Sequence, residues 1–188
     1  EGAIRIRREG RDLKVSIHGS LSILREGDEL RTGPYGRVSF QAPGGGQASA
    51  RSDAILRFRE GAVALVEGKL RLRHGGGRDT LAFVPEGRVR LVEGQTELEH
   101  LRGRTRLVCL TGRTVFVATQ GYRVEVPRKH VLDVRSQVGH EPACVSASNT
   151  NAWPLRLEYG AQWVSIQPGE RVVLLGTPGP AAPPGPTA

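Results

Sequence analysis

The stretch Glu60-Gly61-Ala62-Val63-Ala64-Leu65-Val66-Glu67-Gly68 returns as Glu86-Gly87-Arg88-Val89-Arg90-Leu91-Val92-Glu93-Gly94, a period of 26 residues from position 60 to position 86. The match continues from Leu72 to Leu98 and from His74 to His100. A weaker third copy keeps the spacing at Gly112, Val115, Val117 and Val124, and an earlier one reads Gly36-Arg37-Val38-Ser39-Phe40. Each copy is read as a turn glycine, a short alternating strand, a Glu-Gly turn and a second strand. Side chains of a strand alternate between its faces, so Val63, Leu65, Val89, Leu91, Val115 and Val117 are predicted at equivalent inward positions, with Arg88 and Arg90 outward. One such unit cannot bury its apolar face alone, so copies must stack.

Outward from the repeat, period-two alternation dominates residues 3–134, and glycine punctuates nearly every strand. No segment sustains the i, i+3, i+4, i+7 pattern of an amphipathic helix. The predicted class is all-β: an irregular β-helix or solenoid-like stack of short strands with a small antiparallel C-terminal β cap. The repeat itself leaves parallel coils and antiparallel hairpins both open. On the stacked reading, Leu65 and Leu91 touch across one layer. The expected divisions are 1–140 for the main β domain, 141–176 for the cap and 177–188 for a Pro/Gly/Ala-rich disordered tail. Within the cap, Gln167-Pro168-Gly169-Glu170 has the chemistry of a turn: proline presets φ and glycine permits positive φ.

The net charge is +8, and Lys14, Lys69 and Lys129 are the only lysines, so the basic character is carried by arginine. The arginines alternate with apolar residues, as in Ile4-Arg5-Ile6-Arg7, and glutamates are interspersed. That is the wetted face of strands rather than a nucleic-acid stripe, and no aromatics for base stacking are interleaved. A site for phosphate, lipopolysaccharide or acidic glycan stays open as the lesser alternative. No run reaches the roughly 18 apolar residues of a membrane span. The chain starts at Glu1 and has no methionine, which reads as a processed or excised piece of a longer protein.

The segment Gly19-Ser20-Leu21, then Glu26-Gly27-Asp28-Glu29-Leu30-Arg31-Thr32-Gly33-Pro34-Tyr35-Gly36-Arg37-Val38-Ser39-Phe40, resembles the signature of FecR domains. These read as Gly-Asp, an apolar residue, Thr-Gly, a small residue and an alternating strand. Gly112-Arg113-Thr114-Val115-Phe116-Val117 is similar to that family's Gly-Thr-x-Phe-x-Val strand, with Arg113 inserted. The resemblance covers roughly residues 2–135. It implies a non-enzymatic module of the bacterial periplasm or cell envelope, acting as a protein-binding sensor or scaffold.

Candidate chemistry is sparse. His74 and His100 occupy equivalent repeat positions and are read as stacked, turn-capping or surface residues; a metal site needs further ligands, so no metal and no cofactor is expected. Glu67 and Glu93 each precede a turn glycine, where exposed acids are common. Gly44–Gly46 and Gly75–Gly77 lack the Lys-Ser/Thr of a phosphate loop. Ser146, Ser148, His140 and Glu141 crowd one region without a nucleophile elbow. Cys109 and Cys144 either pair or remain thiols. The binding candidates are Trp153, Tyr159 and Trp163, with Tyr159 and Trp163 on one face by even spacing and Asn149 and Asn151 beside them. They form either the cap's own core or an aromatic platform. The expected partner is another envelope protein or, alternatively, a cell-wall glycan such as peptidoglycan.

Overall fold

A computed structural model describes residues 4–14, 24–59, 61–137 and 144–174. In these the chain is all-β, without helix. The strands are β1 (Ile4–Arg8), β2 (Arg11–Lys14), β3 (Glu29–Thr32), β4 (Val38–Gln41), β5 (Gln47–Ala50), β6 (Ile55–Arg59), β7 (Ala62–Arg73) and β8 (Thr80–Val84). They continue as β9 (Gly87–Leu101), β10 (Arg104–Ala118), β11 (Arg123–Pro127), β12 (Val131–Gln137), β13 (Cys144–Asn149), β14 (Leu155–Tyr159), β15 (Gln162–Ile166) and β16 (Arg171–Leu174).

All sixteen join one sheet, and it has two wings. The first runs β2-β1-β3-β6-β7-β8-β9-β10-β11-β14-β15. The second runs β4-β5-β7-β9-β10-β12-β13-β16, built on the same three long strands. Leu56, Val63, Val89, Phe116 and Val124 from the first wing and Leu72, Leu98, Leu107, Leu132 and Ala147 from the second belong to one buried apolar cluster. With no helix to cover that apolar face, each wing covers the other, as in a sandwich whose corner strands belong to both sheets.

The corners explain the repeat. Pairing skips Val66 between Glu67↔Ile55 and Leu65↔Leu56, skips Val92 between Glu93↔Arg113 and Leu91↔Thr114, and skips Leu110 between Cys109↔Thr96 and Thr111↔Gln95. Each skipped residue stands two before a glycine with positive φ: Gly68 at 92°, Gly94 at 81° and Gly112 at 75°. The Leu-Val-Glu-Gly of the repeat is therefore a β-bulge inside a continuous strand, not a turn between two short ones. An extra residue bends the strand and shifts the inward alternation by one. Inward residues of β7 are Val63 and Leu65 before the bulge, Leu70 and Leu72 after it; in β9 they are Val89 and Leu91, then Thr96, Leu98 and His100.

Several expectations change accordingly. Gly112 is the mid-strand glycine of β10, so the third copy runs one residue out of phase. Thr114, Phe116 and Ala118 share the inward face of Leu91 and Val89, while Val115, only 3% exposed, and Val117 are in register with Arg90 and Arg88 on the opposite face. The strands pair antiparallel everywhere except the two-residue β7–β8 contact, so hairpins rather than parallel coils carry the repeat. Leu65 and Leu91 do not stack. Val63, Ala82 and Val89 share one row with β8 between β7 and β9. Because β7 and β9 run in opposite directions, the two leucines diverge from that row. The four C-terminal strands are antiparallel, and they divide between wings: β14–β15 extends the first through β11, and β13 with β16 extends the second through β12. The Gln167–Glu170 turn carries the chain between wings, closed by Glu170 N–H donating to the Gln167 carbonyl at 2.9 Å. The tail at 177–188 lies outside the described residues.

Candidate functional site

The aromatic candidates gather on one end of the first wing. β14 and β15 form a hairpin with Tyr159↔Gln162 as its last pair, so Gly160 and Ala161 make a two-residue turn. Leu155 and Leu157 alternate inward on β14, which aims Arg156 and Glu158 outward. Trp163 lies opposite Glu158 and shares its outer face. The Arg156 guanidinium carbon sits 5.2 Å from the Trp163 ring centre, within cation–π range, and its Nε also donates to Glu158 at 2.9 Å. Tyr159 is on the inner face, stacked on Tyr122 at 4.5 Å with planes 30° apart. The two aromatics therefore lie on opposite faces, because a turn at Gly160 and Ala161 separates them and even spacing keeps residues on one face only within a continuous strand.

Trp163 is 59% exposed and Trp153, in the loop before β14, is 70% exposed. Neither indole is the cap's core. The two asparagines are hydrogen-bonded within the chain. Asn149 is buried; its amide donates to the carbonyls of Trp153 at 2.8 Å and Ile166 at 2.7 Å. Its oxygen accepts from the Asn151 backbone at 3.0 Å and side chain at 2.6 Å. Asn151 in turn bonds both backbone groups of Val131, at 2.6 and 2.7 Å. Both amides tie the loop to β12 and the end of β15, which spends their hydrogen-bonding capacity on backbone.

β15 is an open edge: among the described residues it pairs with β14 alone. In a ladder closed by a two-residue turn, Gln162, Val164 and Ile166 bond to β14, so the backbone groups of Trp163 and Ser165 point outward. Val164 faces the inner side yet is 53% exposed, since nothing described covers it there. The strand reads Gln-Trp-Val-Ser-Ile, without the charge or proline that usually blunts such an edge.

The other candidates resolve differently. His100 lies opposite Gly68 while His74 N–H bonds the Gly94 carbonyl at 2.9 Å, six residues apart along β9, or about 20 Å. They do not stack. Glu67 and Glu93 are exposed, paired in register with Ile55 and Arg113 respectively. Ser146 is buried and accepts from Arg171 at 2.9 Å; His140 and Glu141 lie outside the described residues. The triple-glycine loops meet each other: a side chain at Gly75 would run into the Gly45 carbonyl. Cys109 is a buried free thiol whose pKa is pushed up by burial. No group of three or more His, Cys, Asp or Glu residues able to hold a metal occurs among the described residues.

The Gly-Asp and Thr-Gly motifs are structural. The buried Asp28 carboxylate accepts two 2.7 Å bonds from Arg8 and one at 2.8 Å from the Arg25 backbone. Thr32 Oγ1 donates to the Arg51 carbonyl at 2.5 Å and accepts from Ala54 N–H at 2.8 Å. Sequence reasoning missed Glu86, which is fully buried at the β8–β9 turn. Thr105 Oγ1 donates to it at 2.6 Å and meets His100 Nδ1 at 2.8 Å, and Ser136 Oγ lies 3.4 Å from its other oxygen. Carboxylate, hydroxyl and imidazole form a closed cluster, with His100 Nδ1 also 3.6 Å from the same Glu86 oxygen, but Glu86 and Thr105 are sealed from solvent and His100 nearly so. This arrangement bonds the first wing to the second.

No family model and no curated protein sequence matches the chain. Among solved structures it is similar to two crystal structures, at 1.65 and 2.50 Å resolution, of a protein from Parabacteroides distasonis described as a "putative anti-sigma factor". Sequence identities are 12% and 13%; both alignments cover 64% of this chain and 59% of the other, with a TM-score of 0.49. The chain thus spans less than two thirds of that protein's length.

Proposed function

We propose that the chain is a non-enzymatic, FecR-like module of the bacterial cell envelope that senses or scaffolds another protein by accepting an extended segment of it at the β15 edge. The observation that carries this reading is the edge itself: outward backbone groups at Trp163 and Ser165, with apolar side chains exposed on both faces beside them. Strand addition draws affinity from those backbone groups and specificity from alternate side-chain contacts, here Trp163 with Arg156 on one face and Val164 on the other. The FecR-like motifs support the envelope assignment.

A glycan-binding reading rests on the exposed Trp153 and Trp163 rings. It is the weaker one, because the neighbouring asparagines are committed to backbone and Arg156 is held by Glu158.

The two readings separate on one substitution. Ser165→Pro removes an outward N–H and no bond to β14, at an edge position that tolerates proline. A photo-crosslinking residue at Gln162 of the full-length protein is expected to trap one protein partner in cells. Ser165→Pro should cut that adduct at least about fivefold, roughly 1 kcal/mol of binding, with the melting temperature unchanged. Binding to peptidoglycan sacculi that survives Ser165→Pro and is lost in Trp153→Ala would establish the glycan reading instead. Neither adduct nor sacculus binding would end both.

A further inference from the structure

The tip of the β9–β10 hairpin and the adjoining end of β12 enclose an open groove of about 560 Å³ on the outer face of the second wing. Its size falls within the range of ligand clefts. Four arginines line it: Arg102, Arg104, Arg106 and Arg135. The register explains how they converge. Thr105 and Leu107 point inward on β10, so Arg104 and Arg106 point out; Leu132 and Val134 point inward on β12, so Asp133 and Arg135 point out. Arg102 stands in the two-residue turn, at φ 51°.

The acids nearby are already engaged. Glu99 pairs with Lys69 at 3.1 Å and Asp133 with Arg104 at 2.9 Å. Glu86 faces the interior behind the groove, bonded to Thr105 and Ser136. Among the described residues, Arg102, Arg106 and Arg135 have no acid within ion-pair distance. Moreover Arg104 and Arg135 are directly opposed across the β10–β12 ladder. Like charges in that position cost stability, and an opposite pair there would gain it. Elsewhere on the same face the chain takes the favourable choice: Arg71 opposes and pairs with Glu97, and Lys69 opposes and pairs with Glu99. Arg106 opposes Glu99, itself in the lining, on β9 and Asp133 on β12, but those acids are ion-paired with Lys69 and Arg104, so the groove keeps an excess of positive charge that an anion from outside can meet.

We infer that this groove binds a multiply charged oxyanion, a phosphate or diphosphate ester group, held by the guanidinium groups of Arg102, Arg106 and Arg135. Guanidinium forks match such oxygens two at a time, and arginine stays protonated throughout the working range. The group has two sources of one chemistry: a soluble phosphate ester or a phospholipid headgroup. The site is separate from the β15 edge and does not depend on it.

The probe is inorganic pyrophosphate, titrated into the isotope-labelled chain at low salt. Saturable amide shifts are expected at residues 99–106 and 133–136, fading as salt is raised. Arg106→Gln and Arg135→Gln should each weaken binding about five- to tenfold, whereas Arg37→Gln, an exposed arginine elsewhere, should not change it. Co-sedimentation with phosphatidylcholine vesicles, with and without phosphatidic acid, names the source. Vesicle binding that requires phosphatidic acid and weakens in Arg135→Gln identifies a lipid headgroup; pyrophosphate binding without it identifies a soluble ester. The inference is overturned if neither probe binds saturably, or if Arg37→Gln weakens binding as much as Arg135→Gln does.

Discussion

Gly94→Ala is expected to destabilise the protein by about 3–5 kcal/mol, near the top of what a single substitution does. Two costs add. At φ 81° an L-residue is strained by about 1–2 kcal/mol. The larger cost is spatial. Gly94 and Gly112 face each other across β9 and β10, and a methyl group at 94 would run into the Thr111 carbonyl and lie 2.8 Å from Gly112 N. Both obstacles are backbone, so no rotamer relieves them; the ladder must part where the first wing turns into the second. Gly61→Ala supplies the comparison, since φ there is 67° with nothing within 4 Å of the added carbon. It should cost only about 1 kcal/mol. Urea denaturation of both variants checks this: equal costs would mean that strain alone, and not the close approach, requires the glycine.

Asp28→Ala should cost about 2–4 kcal/mol. Removing one partner of a buried pair typically costs about 3–5 kcal/mol, and Arg8, 26% exposed at its side chain, recovers part of that by meeting water. The Arg25 N–H loses its acceptor as well. The same group makes stability depend on pH. The hydrogen bonds from Arg8 hold the Asp28 carboxyl below its ordinary value. Burial works to raise Glu29, but hydrogen bonds from Arg57 and Arg31 outweigh it and leave that carboxyl lowered too. A depressed carboxyl stabilises the fold fully above its unfolded value, near pH 4, and the contribution is lost as pH falls through the folded value. Urea midpoints should therefore hold between pH 5 and 7 and fall below about pH 4. In Asp28→Ala the acid-side fall should be shallower; an unchanged slope would show that Asp28 is not its source.

The all-β class, the turn at 167–170 and the inward set Val63, Leu65, Val89 and Leu91 were legible because alternation and turn chemistry are local. What alternation cannot reveal is a bulge. Leu-Val-Glu-Gly has the composition of a strand ending in a turn, and only the partner strand shows that pairing resumes beyond Gly68 and Gly94. The misassigned Val115 and Val117 follow from that one-residue slip. Glu86 was illegible for another reason: a glutamate before a glycine looks exposed, and its partners His100, Thr105 and Ser136 lie far along the chain. In the candidate site, exposure of Trp153 and Trp163 was one of the two readings that their spacing allows, whereas the open edge of β15 depends on which strands pair and is not readable from the sequence. The use of Asn149 and Asn151 as backbone ties was not readable either, since an amide beside a tryptophan reads the same whether it faces a ligand or a carbonyl.

The β9–β10 hairpin also bears on how the molecule reaches this state. Its two strands have 15 residues each and are joined by only Arg102 and Gly103. The largest body of pairing thus forms between segments that are adjacent along the chain, with almost no loop to close. Pairings such as β10–β12 and β5–β7 must close longer loops. Such local contact is the kind that forms early, so the hairpin is expected to be the nucleus from which both wings grow. Gly103→Ala, at φ 70° with open space around it, tests the order of events. It should slow refolding by nearly its whole effect on stability and leave the unfolding rate almost unchanged. If the unfolding limb of the chevron moves instead, the hairpin closes late, and the wings assemble before the strands that join them.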